Sequence, residues 1–450
     1  MFSVPQIARL ADGRLLNGTE TTPGRVIHDS RLVQEGDLFI ALKGERTDGH
    51  RFLKEAFSRG ACGAIVSDRK AVPEAAKNVI CVEEPLRALW ALAAAWRREH
   101  PAAFVGVTGS CGKTTTKALL AHLLAADKRV FAAPQSYNTE IGLPLALLAM
   151  PASAEVGVFE VGASAPGEIA PLAELLSPHI AILTMAGRAH LEGFVDPSAA
   201  AKEKWALVDA LDEEGTAIVN ADCRTLNPFV RAWKGRLVSF GLTSGTLRGT
   251  LAGTFPRLLI DIDEPRLRLC VPLVGEHNAT NVLAAVACAL RLGTPPGRIE
   301  QRISTFEPIP HRLNLLRTPF GFLLDDTYNA NPDSTAAALR VLAALAVPVK
   351  RRGFVFGDML ELGEDTDRYH REIIELAQRL GVSPIFPVGE YATKAAMETT
   401  TPVPSGLFVV TRREDLAARV KRELPGEKNL LLVKGSRLLG LEQLVEQLYR

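Results

Sequence analysis

Val105-Gly-Val-Thr-Gly-Ser-Cys-Gly-Lys-Thr-Thr-Thr116 decides the fold: an apolar strand runs into a glycine-punctuated turn and then into Lys-Thr at the head of a helix. Glycines there let successive backbone N–H groups converge on an anion. Lys113 adds a point charge near the β- and γ-phosphates, and the Thr114 hydroxyl can ligate Mg²⁺ at the helix N-terminus. The stretch therefore predicts ATP or GTP binding through Thr108, Gly109, Ser110, Cys111, Gly112, Lys113, Thr114 and Thr115. Val107 stands where the strict phosphate-loop pattern has its first glycine, leaving a shorter Thr108-Gly109-x-x-Gly112-Lys113-Thr114 core. The bland alternative, a glycine-rich turn with a solvated lysine, fits poorly with the flanking strand and the helical run over 117–124.

Around this loop the pattern is strand, loop, helix, repeated over 99–312. Near-continuous apolar strands at 104–107, 156–160, 179–183 and 216–220 predict a parallel sheet buried on both faces, with ligands at its carboxyl edge. Residues 236–274 read as a meander of short strands, and a long apolar helix is expected over 278–291. The segment 1–98 reads as a small α/β domain ending in a helix over 84–99. The segment 313–450 reads as a second doubly wound sheet, with strands near 321–325, 353–357, 384–388, 406–410 and 429–433. A chain of 450 residues exceeds what one core supports, so three α/β domains are expected.

Lys and Arg number 52 against 51 Asp and Glu, so no global basic field attracts nucleic acid. The first nine residues lack a basic segment followed by an apolar run, and apolar stretches such as 141–152 are broken by Pro144 and Pro151. A cytoplasmic protein without a membrane span is expected. The six cysteines form no C-x-x-C pair and suggest neither zinc nor disulfides.

Glu160 ends an apolar strand, where a carboxylate can reach a phosphate-bound metal; His190 follows another strand and can supply a second ligand. A lone histidine is nonetheless more often structural. Lys202 and Lys204 lie about 200° apart on a helix, so only one can face a cleft; taken alone both read as solvated. His277-Asn-Ala-Thr-Asn281 opens the long helix as a base-edge contact or a plain cap. Asp325-Asp-Thr-Tyr-Asn-Ala-Asn-Pro-Asp333 packs too many polar groups after a strand for turn chemistry alone, and reads as a ligand site.

With these residues assembled, the chain resembles the Mur ligase family, ATP-dependent amide-forming ligases of peptidoglycan synthesis, whose phosphate loop has the short form seen here. Asp29-Ser-Arg31, Phe39 to Gly44 with Asp48-Gly-His50, and Asn138-Thr-Glu-Ile-Gly-Leu-Pro144 carry the likeness. Its most specific marks are Tyr328-Asn-Ala-Asn-Pro-Asp-Ser334 and Gly357-Asp-Met-Leu-Glu-Leu-Gly363. These marks resemble the branch that adds D-alanyl-D-alanine to UDP-N-acetylmuramoyl-tripeptide.

The resemblance implies roles for individual residues. Lys113 is the phosphate lysine, Thr114 and Glu160 hold a first Mg²⁺, and His190 with a carbamylated Lys204 holds a second. Asn278 and Asn281 lie beside adenine, Arg312 on phosphate and Asp326 on ribose. Ser30, Arg31, Thr47 and Asp48 dock the uridine nucleotide, and Asn138, Tyr328, Asn329 and Asn331 bind substrate. Domain 1–98 would take the UDP-sugar peptide, 99–312 ATP, and 313–450 the dipeptide while closing over ATP. The substrates would be small molecules, the enzyme a monomer. Departures are present: Arg188 stands where an acidic residue is usual, Trp205-Ala206 replaces Gly-Glu, and His311 replaces the glycine before Arg312. The rivals are a related Mur or folylpolyglutamate-type ligase and, in another class, a phosphate-loop switch ATPase.

Overall fold

The computed structural model describes all residues except 45–46, 135–136, 189–192, 195, 400–411 and 450. His190 and the strand expected at 406–410 therefore lie outside the described residues. Three sheets follow one another along the chain. The first has five short strands in the order Arg14–Leu15, Val79–Cys81, Gly63–Val66, Leu38–Ile40 and Val26–Ile27. All neighbours are parallel except the outer Arg14–Leu15 pair. Helix Pro85–Glu99 leads from this sheet to the second, burying Ala88, Leu89, Leu92 and Ala93 along one stripe.

The central sheet is parallel over the strands expected to be so, and the stretch read as a meander closes one end of it. From Val130–Ala132 at one edge through Val156–Glu160, Ala103–Thr108, Ile180–Leu183, Thr216–Asn220 and Arg236–Gly241 to Leu247–Gly253, neighbours are parallel. Leu258–Ile262 and Leu267–Val271 then continue it antiparallel, making nine strands of mixed sense. The physical reason is legible in burial: Ile180–Leu183 and Thr216–Asn220 are buried throughout, whereas Leu267–Val271 alternates between core and solvent. A strand with one wet face pairs as a hairpin without needing a covering helix on both sides.

Strand order reverses beside Ala103–Thr108, which lies between Val156–Glu160 and Ile180–Leu183. A crevice opens beyond the carboxyl ends of strands at such a reversal. A Cβ on Gly106 would sit 2.9 Å from Leu207 Cδ1 and 3.1 Å from Leu176 Cδ2, so helices Ile169–Leu176 and Pro197–Asp209 press directly on this strand. That close approach carries Lys204 inward.

The third sheet runs Asn314–Thr318, Gly321–Asp326, Asn429–Lys434, Arg351–Gly357 and Ile385–Val388, with an antiparallel hairpin at its start. The Gly357-Asp-Met-Leu-Glu-Leu-Gly363 motif is largely architectural. The Asp358 carboxylate accepts from Glu390 N (2.9 Å) and Ala392 N (2.7 Å) at the head of helix Glu390–Thr399. Its carbonyl accepts from Ser436 N (2.9 Å), and Leu360 N donates to Ser436 Oγ (2.9 Å). The motif thus holds the turn after Lys434. Asp358→Ala should destabilise this sheet by about 1–3 kcal/mol through the lost cap, seen as faster amide exchange in 390–399 with the central sheet unaffected.

Candidate functional site

A cleft of about 760 Å³ opens where the carboxyl edges of the central and third sheets face each other. The phosphate loop forms one wall. Gly112 has φ +86°, and a Cβ there would lie 2.2 Å from Asn281 Oδ1, so the loop rests against helix Glu276–Arg291. Ser110 N donates to Met185 O (2.9 Å), Ser110 Oγ and Gly187 exchange hydrogen bonds, and the Thr184 hydroxyl donates to Cys111 O (2.5 Å). The segment 184–187 therefore braces the loop from behind. Lys113 Nζ folds back onto Gly109 O at 2.6 Å; burial pushes its pKa down, while the Glu160 charge opposes that shift.

Glu160, 3% exposed, accepts from Thr114 Oγ1 through Oε2 (3.2 Å). Its Oε1 lies 2.9 Å from Lys117 Nζ, a charge contact at an angle outside hydrogen-bond geometry. Arg312 Nη2 also donates to Thr114 Oγ1 (3.2 Å), and the guanidinium lies over the Tyr328 ring at 3.6 Å. A carboxylate and a hydroxyl converging beside an anion-binding loop are the donor set a hard divalent cation takes.

Lys204 is 3% exposed, with its ammonium 5.1 Å from the Phe194 ring, whereas Lys202 on the same helix is exposed. The reading of both as solvated is thus corrected for Lys204. Its pKa falls to about 8, first from burial and then from the nearby Lys113 charge. Trp205 is buried against Phe229 and Trp233, which explains an aromatic at that position.

The connector between the sheets carries Arg312 between two non-glycine residues in the left-handed region, His311 at φ +64° and Leu313 at φ +53°. Such backbone costs about 1–2 kcal/mol in an ordinary L-residue. At His311 it is held by Nδ1 against Asp325 Oδ2 (2.8 Å) and Thr327 Oγ1 (3.2 Å). Asp326 accepts from Leu313 N (3.1 Å) and pairs with Lys434 Nζ (2.6 Å), which also donates to Asn329 O (2.9 Å). Asn278 Nδ2 donates to Val274 O and Asn281 Nδ2 to Asn278 Oδ1, a chain that ties Asn281 to the backbone through Asn278.

Asn331 caps helix Pro332–Ala344, and Cys111 Sγ lies 3.5 Å from its amide nitrogen. Asn138 lies along the same cleft, its carbonyl accepting from Gly162 N (3.0 Å). A second cavity of about 650 Å³ shares Cys111, Gly112, His277, Asn281 and Arg340 with the first. Burial depresses the His277 pKa. Ser30, Arg31, Thr47 and Asp48 do not line the cleft: Ser30 Oγ donates to Glu55 Oε2 (2.8 Å), Arg31 pairs with Asp29, and Asp48 accepts from His50 N (3.0 Å).

Two charged residues escaped sequence reasoning, and a third, Arg188, stood out only as a departure from the family pattern. Lys117 sits one helical turn past Lys113, a charge heading an otherwise apolar helix face. Lys434 ends an apolar strand just as Glu160 does, and the same strand-end reasoning reaches it. Arg188 gives no local signal, because its partners Asp333 (2.9 Å) and Glu372 (3.1 Å) belong to the third sheet's helices. Among the described residues no cluster of three or more His, Cys, Asp or Glu could hold a metal, and no helix is long and apolar enough to cross a membrane.

Three family models match: the Mur ligase middle domain over 107–289, the Mur ligase glutamate ligase domain over 311–437, and the Mur ligase family catalytic domain over 25–97. The UDP-N-acetylmuramoyl-tripeptide–D-alanyl-D-alanine ligase of Bacillus subtilis is 33% identical over 99% of this chain and 98% of its own. The Synechocystis ligase of the same name is 35% identical over 93% and 90%. Among solved structures, MurF from Acinetobacter baumannii superposes with a TM-score of 0.88 at 29% identity, covering 100% of this chain and 98% of that one. Thermotoga maritima MurF in complex with ADP gives 0.83 at 27%, covering 94% and 97%.

Arg188 also donates from its backbone N to Asp333 Oδ2 (2.6 Å), tying the brace behind the phosphate loop to the third sheet. In a cycle of Arg188→Ala, Asp333→Ala and the double variant, ADP affinity measured by calorimetry should show a coupling of about 0.5–1 kcal/mol, a modest value because both groups are partly wet.

Proposed function

The chain belongs to the Mur ligase family, and on that premise we infer that it is an ATP-dependent, ADP-forming ligase joining D-alanyl-D-alanine to UDP-N-acetylmuramoyl-tripeptide in peptidoglycan precursor synthesis. Full-length similarity to ligases of that name carries the reading. The cleft supports it, since the phosphate loop, the buried Glu160 carboxylate and the buried Lys434 beside Asp326 line one space.

A free carboxylate does not form an amide usefully. A carboxylate oxygen of the tripeptide attacks the γ-phosphorus, the bond to ADP breaks, and the dipeptide's amine nitrogen attacks the resulting acyl phosphate, losing a proton as inorganic phosphate leaves. Catalysis is then positioning and charge neutralisation. Lys113 and Arg312 lie where they can face phosphate oxygens, and Asp326, held by Lys434, can take the ribose. Asn278 and Asn281 would lie beside adenine, and Asn138, Tyr328, Asn329 and Asn331 would bind the substrates. Thr114 and Glu160 would hold Mg²⁺, whose charge offsets the repulsion between carboxylate and γ-phosphate. A carbamylated Lys204 would present an anionic oxygen, and with His190 it would serve a second ion. Residues 1–98, with Ser30, Arg31, Thr47 and Asp48, would bind the uridine nucleotide. Residues 99–312 would hold ATP, and 313–450 would bring the dipeptide and close the cleft. The enzyme would work as a cytoplasmic monomer.

Phosphate release should require both UDP-N-acetylmuramoyl-tripeptide and D-alanyl-D-alanine; hydrolysis of ATP with neither present would instead favour a switch ATPase. Lys113→Ala should lower turnover by about 10²–10³-fold in a folded protein.

Carbamylation consumes a neutral amine. Below pH about 8 Lys204 is mostly ammonium, and above it mostly neutral, so carbamate should increase as pH rises through that value. Carbon-13 NMR with labelled bicarbonate should show one carbamate signal absent from Lys204→Ala and retained in Lys202→Ala. Acetate should partly restore activity to Lys204→Ala alone.

A further inference from the structure

Lys117 is used by none of the roles above, yet it is among the most buried cations of the chain, 4% exposed on helix Lys113–Leu124. It follows Thr114 by three residues and Lys113 by four, so all three share one face. Its ammonium lies 2.9 Å from Glu160 Oε1 and donates to the carbonyls of Ala133 (2.5 Å) and Pro134 (3.5 Å). Glu160 is thereby divided: Oε1 faces a fixed internal cation, and Oε2 faces Thr114 and the cleft.

The other carboxylates in this cleft are already engaged, Asp326 by Lys434 and Asp333 by Arg188. Both oxygens of each are held by a cation or a backbone N–H, whereas Glu160 Oε2 meets only the Thr114 hydroxyl and is the carboxylate oxygen left for a divalent cation, with Lys113, Lys117 and Arg312 around it. A bare doubly charged ion entering that set meets repulsion that only added phosphate charge can offset.

We propose that Lys117 is a positioning residue that occupies Glu160 Oε1 as an internal counter-cation, so that the site admits a divalent metal only together with nucleotide phosphates. This rests on Glu160 as the metal-facing carboxylate of the ligase reading. The ammonium keeps the carboxylate aimed and monodentate, and the same group pins the turn at 133–134.

Mn²⁺ binding to the nucleotide-free protein, followed by electron paramagnetic resonance at mildly alkaline pH, tests the assignment. Wild type and Lys117→Arg should bind free Mn²⁺ weakly. Lys117→Met should bind it at least about tenfold more tightly, and Lys117→Met/Glu160→Gln should lose the gain. Lys117→Gln can still donate to the carbonyls of Ala133 and Pro134, and should resemble Lys117→Met. Unchanged Mn²⁺ affinity in a folded Lys117→Met or Lys117→Gln overturns the proposal, as does a gain in Lys117→Arg as well, since charge is then irrelevant. If both neutral variants fail to fold, the lysine is architectural and the proposal falls. Calorimetry of Mg²⁺-ADP with Glu160→Gln separates the two readings. Lost binding there with no Lys117 effect discards only the counter-cation, whereas unchanged binding removes Glu160 from the metal and takes both down.

Discussion

Everything in the cleft depends on how closely the phosphate loop approaches helix Glu276–Arg291. A side chain at Gly112 would overlap the Asn281 amide, so glycine is required there by space and by its left-handed backbone together. That contact sets where Thr114 and Lys117 emerge from the next helix, and hence where Glu160 finds its partners. The buried asparagine pair beneath holds the floor, since Asn281 donates to Asn278 and Asn278 donates to the backbone at Val274. Sequence-level preference and packing agree at this point, as is expected where geometry must be held to fractions of an ångström.

Much of this was legible in the sequence because it depends on local chemistry. The loop 105–116, the strand-end Glu160 and the apolar helix now seen as Glu276–Arg291 all announce themselves within a dozen residues. The parallel strands and the closing meander of the central sheet were legible, but the parallel pairing of Arg236–Gly241 with both its neighbours was not, because the sense in which a short strand pairs is settled by neighbours far along the chain. Lys204 was half legible: helical spacing said that one lysine of the pair must turn inward, but only packing against Phe194 and the strand at Gly106 says which. The family resemblance supplied the same choice from outside the residue chemistry.

Long-range pairs remained hidden for the same reason. Arg188 meets Asp333 145 residues away, and Lys434 meets Asp326 across 108. The Gly357 to Gly363 motif, read in the sequence as a mark of family, serves as scaffold, with Asp358 capping a helix and supporting a turn. A distinctive motif can mark a scaffold on which a site stands.

The connector at 311–313 joins the central and third sheets, and its middle residue is the one that reaches the phosphate loop through Thr114. In the proposed function, connector and phosphate contact are one residue. On that reading, rotation of one sheet about the other would draw Arg312 toward or away from the nucleotide, and the angle between the sheets would be a thermodynamic variable conjugate to occupancy. By reciprocity, whatever free energy nucleotide contributes to closing, closing returns as affinity. The two strained residues flanking Arg312 narrow the range of that angle, so the exchange is confined to a few discrete arrangements instead of a continuum.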